Sequence, residues 1–141
     1  MPHRSFDDAE CVLFNDIPGY DPKLALSEDE TTRWTKLLEV RDVVLKALEE
    51  AREQGIKKNQ DAEIVLTLSD ELGYELRFDE DELAALFIVS KVTVERGEAV
   101  SAAVKLSEAP KCPRCWNHDG HIGTAGHHAE LCDRCAKVLG E

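Results

Sequence analysis

An α+β fold is predicted for this chain: a long helix packed on a small, mostly antiparallel sheet, with a short cysteine-rich module behind it. Three observations lead there. Apolar residues recur at helical spacing from about Glu28 to Gln54. Beyond Asp61 the spacing changes to two, and β-branched residues crowd the stretch from Phe87 to Leu106. The last stretch, 111–141, then holds four of the five cysteines and four of the five histidines.

Residues 1–27 come first and are irregular. Pro2, Pro18, Gly19 and Pro22 interrupt any long period, and only Cys11 to Phe14 form a short apolar run. They are expected to form an extended arm lying against a further body. The long helix follows. Ser27 supplies an N-cap oxygen with Glu30 three residues on, and Gly55 stands where a left-handed residue closes the last turn. Trp34, Leu37, Leu38, Val44, Leu45, Leu48 and Ala51 make its apolar stripe. Arg41 falls within that stripe, so its stem should pack while its head finds a carboxylate, or else meets a partner or RNA.

A polar connector, Ile56 to Asp61, carries Lys57 and Lys58, read as a solvated pair without function. Ile64, Leu66 and Leu68 then alternate with Glu63, Val65 and Thr67, the pattern of a half-buried strand. Ser69 to Leu76 and Asp79 to Leu86 predict two short helices, the second with a capping box in Asp79 and Glu82. Phe87 to Glu95 predicts a central strand. Arg96-Gly97-Glu98 predicts a turn, and Val100 to Leu106 the second strand of a hairpin. The domains are therefore an arm over 1–27, an α+β body over 28–110 and a cysteine module over 111–141.

Composition narrows the function. A chain of 141 residues has room for one compact domain and a small appendage, not for a large catalytic body. Its net charge of −12 resides in residues 1–110, whereas 111–141 carry four basic and four acidic side chains. An acidic surface opposes broad nucleic-acid coating but leaves a local contact open at the neutral end. The longest apolar run, Leu83 to Val89, falls far short of the roughly 20 residues of a membrane span. No export signal is visible, and five cysteines cannot all pair within one chain, which points to a reducing, cytoplasmic setting.

Cys112-Pro113-Arg114-Cys115 and Cys132-Asp133-Arg134-Cys135 are two C-x-x-C pairs separated by sixteen residues. This is the spacing of a four-cysteine zinc knuckle or ribbon, in which a tight turn brings both thiolates of a pair to one tetrahedral ion. A thioredoxin-like redox site would have one such pair, not two. Four thiolates close the shell and leave no position for a reactive water, so one zinc per chain is expected, in a structural role. His118, His121, His127 and His128 are surplus to the ligand set. His121-Ile122-Gly123 superficially suggests a nucleotide-binding signature, but it lacks the flanking strand and helix, and Thr124 stands where a histidine belongs. No catalytic residues are identified.

CPRCW at 112–116, ELCDRCAKVL at 130–139, RWTKLLEVRDVVLKALEEAR at 33–52, ELRFDEDELAALFIVSKVTV at 75–94 and VLFNDIP at 12–18 together resemble the C-terminal end of the bacterial isoleucyl-tRNA synthetase family. The resemblance runs through essentially the whole chain and implies that Met1 is an internal position or a start placed by cloning. It also implies an aminoacyl-tRNA synthetase parent, a class I isoleucine–tRNA ligase that uses ATP. The catalytic and editing domains of that parent are not in this sequence. By resemblance, the module lies near the anticodon arm of tRNA(Ile), with Arg114 and Trp116 as RNA contacts and Lys111 and Arg134 as weaker ones. The expected partners are that tRNA and the remainder of the synthetase, with no membrane and a monomeric state.

Each contact has a plainer alternative. Trp116 would serve equally as the apolar cover of the knuckle, and Lys111 and Arg134 as shields for the thiolate charge. Two readings therefore compete with an RNA-binding appendage. One is a zinc-stabilised lid without RNA contact. The other is a DNA-binding zinc finger of the formamidopyrimidine-glycosylase type, which lacks here its N-terminal catalytic proline and helix–two-turn–helix.

Overall fold

A computed structural model of the chain describes residues 9, 11–17, 19–124 and 128–140. The first long element, α1 (Glu28–Glu53), starts as its sequence demands. Ser27 and Glu30 close a reciprocal capping box, and Gly55 beyond the end takes φ +107. The buried stripe is Leu37, Val40, Val44, Leu48 and Ala51. Val40 joins that stripe because it lies three residues from Leu37 and four from Val44, whereas Leu38 turns outward and is 50% exposed. Arg41 is half-buried and has no ion pair among the described residues, so the expected carboxylate partner is not there.

The sheet has three strands, β1 (Ala62–Leu68), β2 (Lys91–Arg96) and β3 (Ser101–Leu106), in the order β2-β1-β3. Between β1 and β2 come α2 (Asp70–Leu76) and α3 (Glu80–Phe87), the latter opened by the Asp79–Glu82 capping box. These helices make a crossover, so β2 returns parallel to β1, in register from Glu63 opposite Lys91 to Leu68 opposite Arg96. β3 runs antiparallel to β1 along its other edge. The fold is thus α+β with a mixed sheet.

The expected hairpin does not form. β2 is an edge strand, and β1 is the central one. Residues 97–100 instead bridge the C-terminal end of β1, a width of roughly 9–10 Å that four residues span easily. Gly97 makes the crossing feasible, because a Cβ there would lie 2.4 Å from Thr67 Cγ2. Its N–H donates to the Leu68 carbonyl at 2.9 Å, which ties the link over the strand end.

The core lies between α1 and one face of this sheet. Leu37, Val44 and Leu48 meet Ile64, Leu66 and Val92, with Leu76, Leu83 and Phe87 closing the edge. Each such side chain contributes about 1.5–3 kcal/mol on burial. In the N-terminal arm, Leu13, Phe14, Ile17, Tyr20 and Leu24 are all at least 75% exposed. No helix is long and apolar enough to cross a membrane among the described residues.

Candidate metal centre

The chain reverses sharply after Cys112. Trp116 N–H donates to the Cys112 carbonyl and Cys112 N–H to the Asn117 carbonyl, each at 2.9 Å. Lys111 and His118 pair as an isolated antiparallel bridge below. This turn forces Trp116 to φ +67, a region that disfavours side chains with a Cβ. The second pair comes from α4 (Asp133–Leu139), with Cys132 at its N-cap and Cys135 buried in its first turn. Between the pairs, Gly123 takes φ +102, and Thr124 Oγ1 donates to the His121 carbonyl at 2.6 Å and to Asp133 Oδ1 at 3.2 Å. Ile122 consequently packs on the cysteines, so His121-Ile122-Gly123 belongs to the cover of this cluster.

The Sγ atoms of Cys112, Cys115, Cys132 and Cys135 all lie within 4.8 Å of one another, and Cys115 Sγ is 3.7 Å from Cys132 Sγ. Four sulfurs bound at about 2.3 Å to a tetrahedral ion stand about 3.8 Å apart. The cluster therefore fits one zinc ion. Burial pushes the Cys112 thiol up, but the N–H groups of Cys115, Cys132 and Arg114 outweigh it and bring it down to about 6. Burial dominates at Cys132, which is pushed up to about 12, and also raises Cys135. A bound cation must displace those protons, so the cluster's grip on it tightens as pH rises.

The four basic and aromatic candidates have distinct surroundings. Arg114 Nη1 donates to the Cys135 carbonyl at 3.0 Å, linking the two cysteine pairs. Lys111 Nζ lies 2.5 Å from Asp61 Oδ1. For Arg134, burial lowers the pKa, but Cys115, Cys135 and Cys132 outweigh that and raise it, as expected of a guanidinium set against sulfur. Trp116 is 58% exposed, and Lys58 Nζ stands 5.9 Å from its ring centroid, a cation–π distance.

Two anchors escaped the sequence reading. His118 donates its backbone N–H to Ser90 Oγ at 2.7 Å. Its ring faces the Ala109 carbonyl at 2.6 Å and Asp61 Oδ1 at 3.2 Å. Asp61 thus gathers Lys111 and His118 onto the start of β1, seating the knuckle against the body. His121 pairs with Asp119 and His128 with Glu130, while His127 lies outside the described residues. No local pattern links position 61 to 118, or 58 to 116, because these contacts join segments more than fifty residues apart.

Residues 109–138 match a family described as "Zinc finger found in FPG and IleRS". Across nearly the whole chain, an isoleucine–tRNA ligase 1 of Oceanobacillus iheyensis is 34% identical over 140 residues, covering 94% of this chain and 15% of that protein. An isoleucine–tRNA ligase of Psychromonas ingrahamii is 39% identical over 132 residues, covering 82% and 14%. One of Coxiella burnetii is 36% identical over 127 residues, covering 81% and 14%. Over nearly its whole length the chain is similar to a segment of these isoleucine–tRNA ligases. The finger alone would also admit the FPG class, but the similarity to the ligases extends far beyond 109–138 into the body. The chain spans about 15% of the length of the ligases it matches.

Proposed function

We propose that this segment is the C-terminal, zinc-stabilised RNA-binding appendage of an isoleucine–tRNA ligase, assisting recognition of the anticodon arm of tRNA(Ile) during ATP-dependent aminoacylation. It has no catalytic role of its own. The zinc ion would be held by Cys112, Cys115, Cys132 and Cys135, and its contribution is to fold residues that cannot bury a core alone. Residues 1–27 serve as an arm from the preceding region, 28–110 as a body and 111–141 as the metal module. The remainder of the ligase is the natural partner of the exposed apolar arm, and the working place is the cytoplasm.

The observation that carries this reading is Trp116. A bulky side chain kept in a left-handed turn beside a metal ligand, yet more than half exposed, is poorly explained as core packing. It offers a flat face on which an unstacked loop base can sit. In the full-length ligase, Trp116→Ala should raise the KM for tRNA about tenfold while zinc content stays unchanged. An unaltered KM would favour the second reading, in which the knuckle is a folded lid. That reading has its own support in Arg114, whose bond to the Cys135 carbonyl accounts for it without RNA.

A further inference from the structure

Among the cations around the knuckle, two that adjoin the cysteines in sequence are already engaged. Lys111 is bound to Asp61 and Arg114 to the Cys135 carbonyl. Lys57 and Lys58, from the connector between α1 and β1, are exposed and have no ion pair among the described residues. Lys58 is the one whose ammonium stands over the exposed indole. Its position is not accidental flexibility of a linker. Lys58 stands at the N-terminal end of the 3-10 turn Asn59–Asp61, and its carbonyl accepts from Asp61 N–H at 3.0 Å. Asp61, in turn, holds Lys111 and His118 of the knuckle. The backbone carrying Lys58 is therefore tied to the one carrying Trp116 through two side chains.

We propose that Lys58 and Trp116 form one composite site for a single-stranded RNA nucleotide, the indole stacking the base and the Lys58 ammonium pairing with an adjacent phosphate. The inference rests on the RNA-binding reading above and assigns the phosphate contact to the body instead of to Arg114. Its physical basis is complementarity. A phosphate seeks a cation that no carboxylate neutralises, and this chain as a whole is strongly acidic, with a net charge of −12. An ammonium is a suitable partner because it pairs with phosphate as a point charge from a mobile stem. The site reads no base edge, so its contribution is affinity and register more than sequence.

The test is a salt titration of binding between the zinc-loaded chain and an unmodified tRNA(Ile) transcript. Lys58→Ala should weaken binding about 3- to 10-fold near 0.1 M salt and lower the slope of log K against log salt by about one. Lys58→Arg should restore both, and Lys46→Ala, an exposed lysine on α1, should change neither. Trp116→Ala should weaken binding with little change of slope, since an indole releases no counterion. If Trp116→Ala weakens binding but Lys58→Ala leaves affinity and slope intact, the assignment of Lys58 is overturned and the RNA-binding reading stands. If neither the wild-type chain nor its variants bind the transcript even at low salt, both fall together.

Discussion

Asp61 shows how much a single side chain decides in this molecule. Its hydrogen bond with Lys111 is the main cause that holds its carboxyl below the ordinary value of 3.8, against the opposing effect of burial, and His118 adds to it. A carboxylate with a depressed folded-state pKa stabilises the fold above its unfolded pKa, and that stability is lost as pH falls through the folded value. Asp61→Asn should therefore lower the urea midpoint at pH 8, and by at least as much at pH 5. The loss should shrink only below about pH 4. A loss that halves between pH 8 and pH 6 would show that a different group carries the pairing. The aspartate was visible in the sequence as one letter of a polar connector. Its two partners, fifty and fifty-seven positions away, were not.

At the scale of elements, α1, α2 and α3 were legible, whereas α4 and the strand order were not. Capping boxes at Ser27–Glu30 and Asp79–Glu82 are local, since each is completed within three residues, and both form as read. Strand partners are chosen by non-local packing, and a four-residue link between two strands suits a hairpin as well as a bridge over a third strand. What excludes the hairpin is the crossover through α2 and α3, which brings β2 alongside β1 in parallel and leaves β1's other edge for β3. Gly97 is the residue on which that bridge depends. Gly97→Ala should cost about 1–3 kcal/mol by overpacking against the stiff Thr67 side chain. The same change in a Thr67→Ala background, where Cγ2 is gone, should cost much less. Urea unfolding of the four proteins of that cycle provides the check, and equal costs in both backgrounds would refute the close approach.

For the whole molecule, the body and the knuckle rest on different physics. The body has a continuous apolar core between α1 and the sheet. The knuckle buries little beyond its cysteines and Leu131, with Ile122 packed against them, so the bound ion must supply its order. Metal analysis should find about one zinc per chain. Chelation at neutral pH, or Cys112→Ser combined with Cys132→Ser, should release amide protection across 111–139 while the near-ultraviolet signal of Trp34, packed edge-on against Phe78 at 5.5 Å, persists. Simultaneous loss of both signals would mean a single cooperative unit. The Asp61 seam joins the two parts by a few polar contacts, a link expected to fix orientation more than to add stability.

The sequence alone determined α1, α2 and α3, the alternation of β1 and the grouping of cysteines into two metal-binding pairs, because periodicity, caps and C-x-x-C turns act over a few residues. Only the tertiary structure decided that β1 is central, that Arg114 and Lys111 face inward partners, and that Lys58 stands over Trp116. Those outcomes depend on which distant surfaces meet when the core closes, and no short stretch of chain encodes such a meeting by itself.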